Sequence, residues 1–382
     1  MIPYGRQQIS QEDIDAVVEV LSSDFLTQGP KVPEFEQALS TYSGARYALA
    51  TNSATSALHI ACCSLEVGKG DIVWTSPITF VASANCALYC GASVDFVDID
   101  PSTYNMCPEA LRVKLEQASS QAKLPKVVVV IHMCGQPCDM KAIWLLSKQY
   151  NFKIIEDASH AIGGKYQNQP IGNCKYSDIT VFSFHPVKII TTGEGGAALT
   201  NSPVLADKMR LLRSHGVTRD PMLMDTPPHG DWYYQQHSLG FNYRITELQG
   251  ALGLSQLRRV DEWVQKRTQI ATRYTELLKD ASIITPFQSG ESDSSWHLYV
   301  IQLKKPSARA MVYEKLKNAG IGVNVHYIPV HTQPYYKKLF SKQIQLPNAE
   351  AYYSAALSLP LYPGLTEMEQ LFVVNQLKEA LQ

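Results

Sequence analysis

Lys188 stands just past the apolar run ITVFSF (residues 179–184) and is followed by Thr191, Thr192 and the glycines of TTGEGG. An ammonium at the end of a buried strand is costly unless something offsets it, so this lysine is paired, turned to solvent or chemically converted. Asp157 ends a second apolar run, KIIED, with one βα-type connection between the two residues. Both can therefore face one crevice. A lysine that carries an aldehyde cofactor covalently, and a carboxylate that keeps a pyridine nitrogen protonated, are the two groups that pyridoxal phosphate chemistry requires. The carboxylate keeps the ring an electron sink, and the lysine, once released, shuttles a proton. A structural Asp–Lys pair at a sheet edge is the alternative.

Further residues fall at neighbouring strand ends. TNSATSAL (51–58) feeds a strand into a helix whose first turn is small and hydroxyl-rich. Its backbone N–H groups, with Ser53 and Thr55, suit a phosphate, although Ser53 or Asn52 could simply cap the helix. Phe80, in SPITF, stands at the next strand–helix junction, where it would stack on a cofactor ring or join the core. His160 lies three residues past Asp157, able to meet a ring oxygen or substrate, or to remain a satisfied histidine. Ser183, five residues before Lys188, can donate to a phosphate. Bland readings of each residue do not require all of them to occupy successive strand ends.

The elements that must position these groups are legible as alternating runs. Strand-like segments at 47–51, 72–76, 94–98, 127–132, 153–157, 179–184 and 196–200 alternate with helix-period stretches. Several of the runs are continuously apolar and β-branched, which marks strands buried on both faces of a mostly parallel sheet. Ligands of such sheets sit beyond the carboxyl ends of the strands. Past residue 200 the pattern changes. Residues 221–232, rich in Pro, Met and Asp, read as an exposed loop. Residues 246–278 read as one long helix, and WHLYVIQL (296–303) opens a smaller α+β unit. Ser10 and Asp13 form a capping-box start to an N-terminal helix.

Composition bounds the remaining possibilities. The chain has 382 residues, 45% of them hydrophobic, and a formal net charge of −1. That balance offers no basic footprint for nucleic acid and no bulk attraction to anionic lipid. The first residues lack the apolar core of a secretory leader, and no apolar stretch reaches membrane-spanning length, so a cytoplasmic protein is expected. Eight cysteines, including the adjacent Cys62 and Cys63, then read as a reduced pool. Cys134 and Cys138 have the wrong spacing for a paired zinc motif, and no metal is expected.

Several longer motifs converge on one family. TQGP (27–30), NSATSALH (52–59), TSPITFVASANC (75–86), EDASHAIGG (156–164), SFHPVKIITTGEGGA (183–197), RSHG (213–216) and GFNYRITELQGALG (240–253) resemble the DegT/DnrJ/EryC1/StrS sugar aminotransferases. The resemblance covers the whole chain. It implies an α/β protein of the fold type I (aspartate-aminotransferase-like) pyridoxal-phosphate class. The large domain, over 1–250, would hold a mostly parallel seven-stranded sheet, with a smaller α+β domain over 251–382. Lys188 is implied as the cofactor-bearing lysine, Asp157 as partner of the pyridine nitrogen and Phe80 as the stacking ring. Ala54, Thr55 and Ser183 are implied as phosphate contacts, with Asn242 supplied to the phosphate by a second subunit. His160 stands where many relatives carry glutamine. Thr27, Gln28 and Gly29, together with His185, His215, Arg244, His326 and Tyr327, are implied on the substrate side, and Thr191 and Thr192 are expected beside them.

Within the family, FHPVKIITTGEGG, WYYQQHSLGFNYRITELQ, HLYVIQL and VNVHYIPVH (323–331) are similar to the branch acting in pseudaminic acid synthesis. That likeness implies L-glutamate as amino donor, a UDP-linked 4-keto-6-deoxy sugar as acceptor, pyridoxal and pyridoxamine phosphate as the two cofactor forms, and a homodimer with shared sites. Other sugar aminotransferases, a sugar dehydratase of the same fold and a catalytically dead binding protein are the rivals. Lys188 argues against the dehydratases, which carry histidine there, and Lys188 with Asp157 argues against a dead site.

Overall fold

A computed structural model describes residues 1–340 and 344–382. Seven strands form the central sheet: β1 (Tyr47–Thr51), β2 (Ile72–Thr75), β3 (Ser93–Phe96), β4 (Val127–Ile131), β5 (Lys153–Asp157), β6 (Ile179–Ser183) and β7 (Gly196–Thr200). Their spatial order is β1-β7-β6-β5-β4-β2-β3. The β2–β3, β2–β4, β4–β5 and β5–β6 ladders are parallel, and only β7 runs antiparallel to its neighbours β1 and β6. The mostly parallel sheet expected from the continuous apolar runs is thus the observed one, and β4 and β6 are buried at every position. Burial on both faces explains why these strands show no alternation.

Helices α1 (Gln11–Leu21), α2 (Lys31–Ser43), α3 (Ala54–Ser64), α4 (Ala82–Tyr89), α5 (Pro108–Ser119), α6 (Met140–Tyr150) and α7 (Pro203–Arg213) accompany the sheet. The capping box at Ser10 and Asp13 is present. The span 246–278 is not one helix. It breaks at Arg258–Arg259 into α8 (Glu247–Leu257) and α9 (Val260–Leu278). Leu257, Val260 and Trp263 pack in the large core, whereas Ala271, Tyr274 and Leu278 pack in the smaller one. That smaller core lies under a three-stranded sheet of β8 (Ile283–Ile284), β9 (Tyr299–Leu303) and β10 (Ala356–Leu359), in the order β8-β9-β10. Residues 221–232 form an exposed loop with a short 3-10 turn at Pro221–Leu223. Among the described residues no helix is long and apolar enough to cross a membrane.

Candidate active site

The carboxyl ends of β1, β5 and β6 meet the start of β7 along one edge of the sheet. Thr51 and Ser183 both register with Gly196, and Asp157 registers with Val181 two residues before Ser183. Three separate chain segments thereby deliver Ala54 and Thr55, Asp157, and Ser183 with Lys188 to neighbouring positions.

Asp157 is 6% exposed and held at both carboxylate oxygens. Ser83 Oγ donates to Oδ2 at 2.5 Å, and the Ser159 N–H donates to Oδ1 at 3.1 Å. Each oxygen retains a further lone pair. Lys188 is half-buried, and its N–H donates to the His185 carbonyl at 2.9 Å, closing the turn that carries it. Burial pushes the Lys188 amine down to about 8, and the nearby Asp157 carboxylate limits that fall. Neutral amine is therefore accessible near physiological pH, as a nucleophile toward an aldehyde must be.

Three histidines surround this pair without adding charge. Burial holds His160 and His297 well below their ordinary range, and it pushes His326 down to about 4. The Lys188 charge adds to each shift. His160 Nε2 meets the Tyr327 hydroxyl at 3.2 Å, and the two rings are near parallel. His326 Nδ1 meets Ser358 Oγ at 2.7 Å. His160 Nδ1 is buried with no partner, an orphaned polar atom beside Lys188 and Asp157. A buried unpaired nitrogen costs free energy unless a ligand group satisfies it.

The start of α3 also offers unsatisfied polar groups. Ser53 caps α3, its Oγ accepting from the Ser56 N–H at 3.1 Å. The capping alternative was correct for Ser53, and it leaves the N–H groups of Ala54 and Thr55 without intrahelical acceptors at the positive end of the helix. A Cβ at Gly196 would lie 2.5 Å from the Ala54 nitrogen, so any side chain there would fill this cradle. Phe80 is 61% exposed at the β2–α4 junction, which sets aside its core reading and leaves a ring face for stacking. The residues present fit pyridoxal phosphate at every part of the molecule.

Other residues read from the sequence fall further out. The segment holding Asn242 and Arg244 pairs with its own chain, the Asn52 N–H donating to the Tyr243 carbonyl at 2.9 Å and Arg244 bridging to Thr51. The Asn242 side chain is exposed there, and Arg244 Nη1 donates to Ser214 Oγ at 3.1 Å. His215 is exposed, on a left-handed backbone at φ 61°. Thr27 and Gln28 are exposed, and Gly29 packs beside Phe25 and Glu247. His185 is exposed one turn before Lys188. Thr191 and Thr192 are a correction. Both are buried, and their hydroxyls donate to the Phe184 and Glu194 carbonyls at 3.0 and 2.6 Å, so they brace the lysine loop instead of lining a substrate face.

Sequence reasoning also missed two residues. Ser83 orients Asp157, and its signal was the hydroxyl three residues past Phe80. His297, whose ring centroid lies 4.3 Å from that of His160, entered the sequence only as part of a strand-like run. The cysteines 134 and 138 do not pair: Cys138 Sγ donates to the Ile131 carbonyl at 3.0 Å within the core.

Comparison with known proteins identifies the family and the fold. Residues 7–378 match the DegT/DnrJ/EryC1/StrS aminotransferase family. The spore coat polysaccharide biosynthesis protein SpsC of Bacillus subtilis is 41% identical over 372 residues, covering 96% of this chain and 93% of that protein. The UDP-4-amino-4,6-dideoxy-N-acetyl-beta-L-altrosamine transaminase of Campylobacter jejuni is 39% identical, covering 100% and 98%. Helicobacter pylori PseC, an aminotransferase involved in the biosynthesis of pseudoaminic acid, superposes with a TM-score of 0.92 at 33% identity, covering 100% and 99%. The putative sugar aminotransferase Spr1654 of Streptococcus pneumoniae, in its PMP form, gives 0.91 at 31% identity, covering 100% and 99%. The fold is that of the pyridoxal-phosphate sugar aminotransferases, and pyridoxal phosphate is the cofactor.

Proposed function

This chain belongs to the DegT/DnrJ/EryC1/StrS aminotransferase family, and on that premise we propose which amino group it moves and where. The acceptor is UDP-2-acetamido-2,6-dideoxy-β-L-arabino-hexos-4-ulose, aminated at C4 by L-glutamate. The product is UDP-4-amino-4,6-dideoxy-N-acetyl-β-L-altrosamine, a precursor of pseudaminic acid made in the cytoplasm. The observation that carries this reading is the end-to-end likeness to the Campylobacter altrosamine transaminase, joined to a site in which Lys188 faces Asp157. A second reading is a C4 or C3 aminotransferase for another nucleotide-linked keto sugar, favoured by the 41% identity to the spore coat polysaccharide protein.

When bound, pyridoxal phosphate supplies an aldehyde that takes up and hands on the amino group and a ring that accepts electrons. The chain's own residues do the rest. Lys188 Nζ would hold the cofactor and would supply the group that moves a proton at the reacting carbon. Asp157 holds a proton on the ring nitrogen, with Ser83 fixing the carboxylate. The Ala54 and Thr55 N–H groups and Ser183 bind the phosphate, and Phe80 covers the ring face. His160, neutral and unpartnered at Nδ1, is placed to hydrogen-bond to the ring oxygen.

An assay of the purified enzyme with L-glutamate and a panel of UDP- and dTDP-linked 4-keto and 3-keto sugars tests the substrate. The altrosamine nucleotide should form at a kcat/KM at least about 10²-fold above any other acceptor, the scale expected when a site hydrogen-bonds specific sugar hydroxyls. Preference for a different keto sugar would establish the second reading.

The same proposal includes a homodimer in which Asn242 of one subunit reaches the phosphate held by the other. Lys188→Ala and Asn242→Asp should each be inactive alone. Subunit exchange makes about half the dimers mixed, each with one intact site, so roughly a quarter of wild-type activity should return. No recovery would place Asn242 in its own subunit's site.

A further inference from the structure

Toward their carboxyl ends, α3 and α4 bring together donors that no step above uses. His59 and Cys63 lie one turn apart on α3, hence on one face of that helix. Cys90 caps the carboxyl end of α4. Cys63 Sγ and Cys90 Sγ are 3.6 Å apart, and a ring nitrogen of His59 lies within 4.8 Å of both sulfurs. In a tetrahedral zinc site, sulfurs about 2.3 Å from the metal are about 3.8 Å apart, so the thiol pair already has the spacing of one tetrahedral edge. His59 Nδ1 meets the Tyr243 hydroxyl at 3.0 Å, leaving Nε2 as the free nitrogen. An oxygen partner on the second ring nitrogen is the usual orienting device of a metal-bound histidine.

We propose that His59, Cys63 and Cys90 form a binding site for a thiophilic divalent cation of the zinc class. One imidazole and two thiols are the soft donor set that selects Zn²⁺ over Mg²⁺ or Ca²⁺. Three protein ligands leave a fourth position for water, and Cys63 and Cys90 are only half-buried, which opens that position to solvent. Both thiols lose their protons to solvent on binding, the metal takes two thiolates and one neutral imidazole, and no electrons move. The site sits against the segment that carries Asn242. Tyr243 touches His59, and the Phe241 ring centroid lies 4.6 Å from that of His59. A bound cation would clasp α3, α4 and residues 241–243 together.

The test loads the cofactor-bound enzyme, under reductant, with Zn²⁺ and separately with Co²⁺, then removes free metal by gel filtration. About one zinc per chain should remain and about two protons should be released per zinc, with cobalt giving the visible bands of a tetrahedral thiolate site. Cys90→Ser and the pair Cys63→Ser/Cys90→Ser should lose this metal, whereas Cys107→Ser, a cysteine outside the cluster, should keep it. The cobalt spectrum of the unaltered enzyme decides the matter should a variant fail to fold. Metal content unchanged in the cysteine variants, octahedral cobalt bands, or a Cys63–Cys90 disulfide in a protein that takes up no zinc would overturn the proposal.

Discussion

Lys188→Ala should abolish turnover while leaving the cofactor in place. The substitution removes both the covalent link and the base that moves the proton. Losing a positioned acid–base group alone costs on the order of 10²- to 10⁴-fold, so a loss above about 10³-fold is expected. Retention follows because the helix end at Ala54 and Thr55, the exposed Phe80 ring and the Asp157 carboxylate are untouched. Borohydride reduction of the unaltered holoenzyme should fix the label on the peptide carrying Lys188 and on no other. The lowered Lys188 pKa adds a sign that can be checked. Only unprotonated amine attacks an aldehyde, and burial brings the amine to about 8. Reloading of cofactor-free enzyme should therefore accelerate as pH rises through about 8 and level off above it. A lysine at its ordinary value of 10.5 would keep accelerating well beyond that point. A label on another lysine, or appreciable turnover by the alanine variant, would remove Lys188 from its role.

How much of this was legible in advance depended on how local each signal was. Asp157 and Lys188 could be placed at strand ends because β5 and β6 are continuous apolar runs whose limits are visible in the residues themselves. The start of α3 proposed to hold the phosphate was equally local, since small residues and hydroxyls follow directly on β1. The break at Arg258–Arg259 was not legible: no proline or glycine marks it, and apolar positions continue on both sides. The two sides of the break share one core through Leu257, Val260 and Trp263, and the change to the smaller core comes further along α9, by Ala271 and Tyr274. The cluster of His160, His297, His326 and Tyr327 depends on residues 297 and 326–327 packing against the segment after β5, a contact no local pattern encodes. His59, Cys63 and Cys90 are a similar case. Only the packing of α3 on α4 turns a residue pair on one helix and a residue at the end of the next into a cluster.

Asp157→Asn should lower kcat by about 10²-fold or more, the scale of losing a preorganised electrostatic partner. The side chain is buried and held by Ser83 and by the Ser159 N–H, so the amide will occupy nearly the same space. The geometry of the site is then preserved while its charge is lost. An amide also presents a donor at one of its two positions, so either Ser83 must reverse its hydrogen bond or the face toward the ring nitrogen becomes a donor. In both cases nothing holds a proton on that nitrogen, and the ring ceases to draw electrons from the reacting carbon. The loss should fall on kcat, with KM for glutamate and sugar changed little, because the carboxylate touches neither substrate. Ser83→Ala separates orientation from charge: it leaves the carboxylate in place, and a loss of about tenfold or somewhat more, smaller than that of Asp157→Asn, is expected from one hydrogen bond to a charged group. A fall of less than about threefold for Asp157→Asn would mean that the carboxylate serves the sheet edge and not the chemistry.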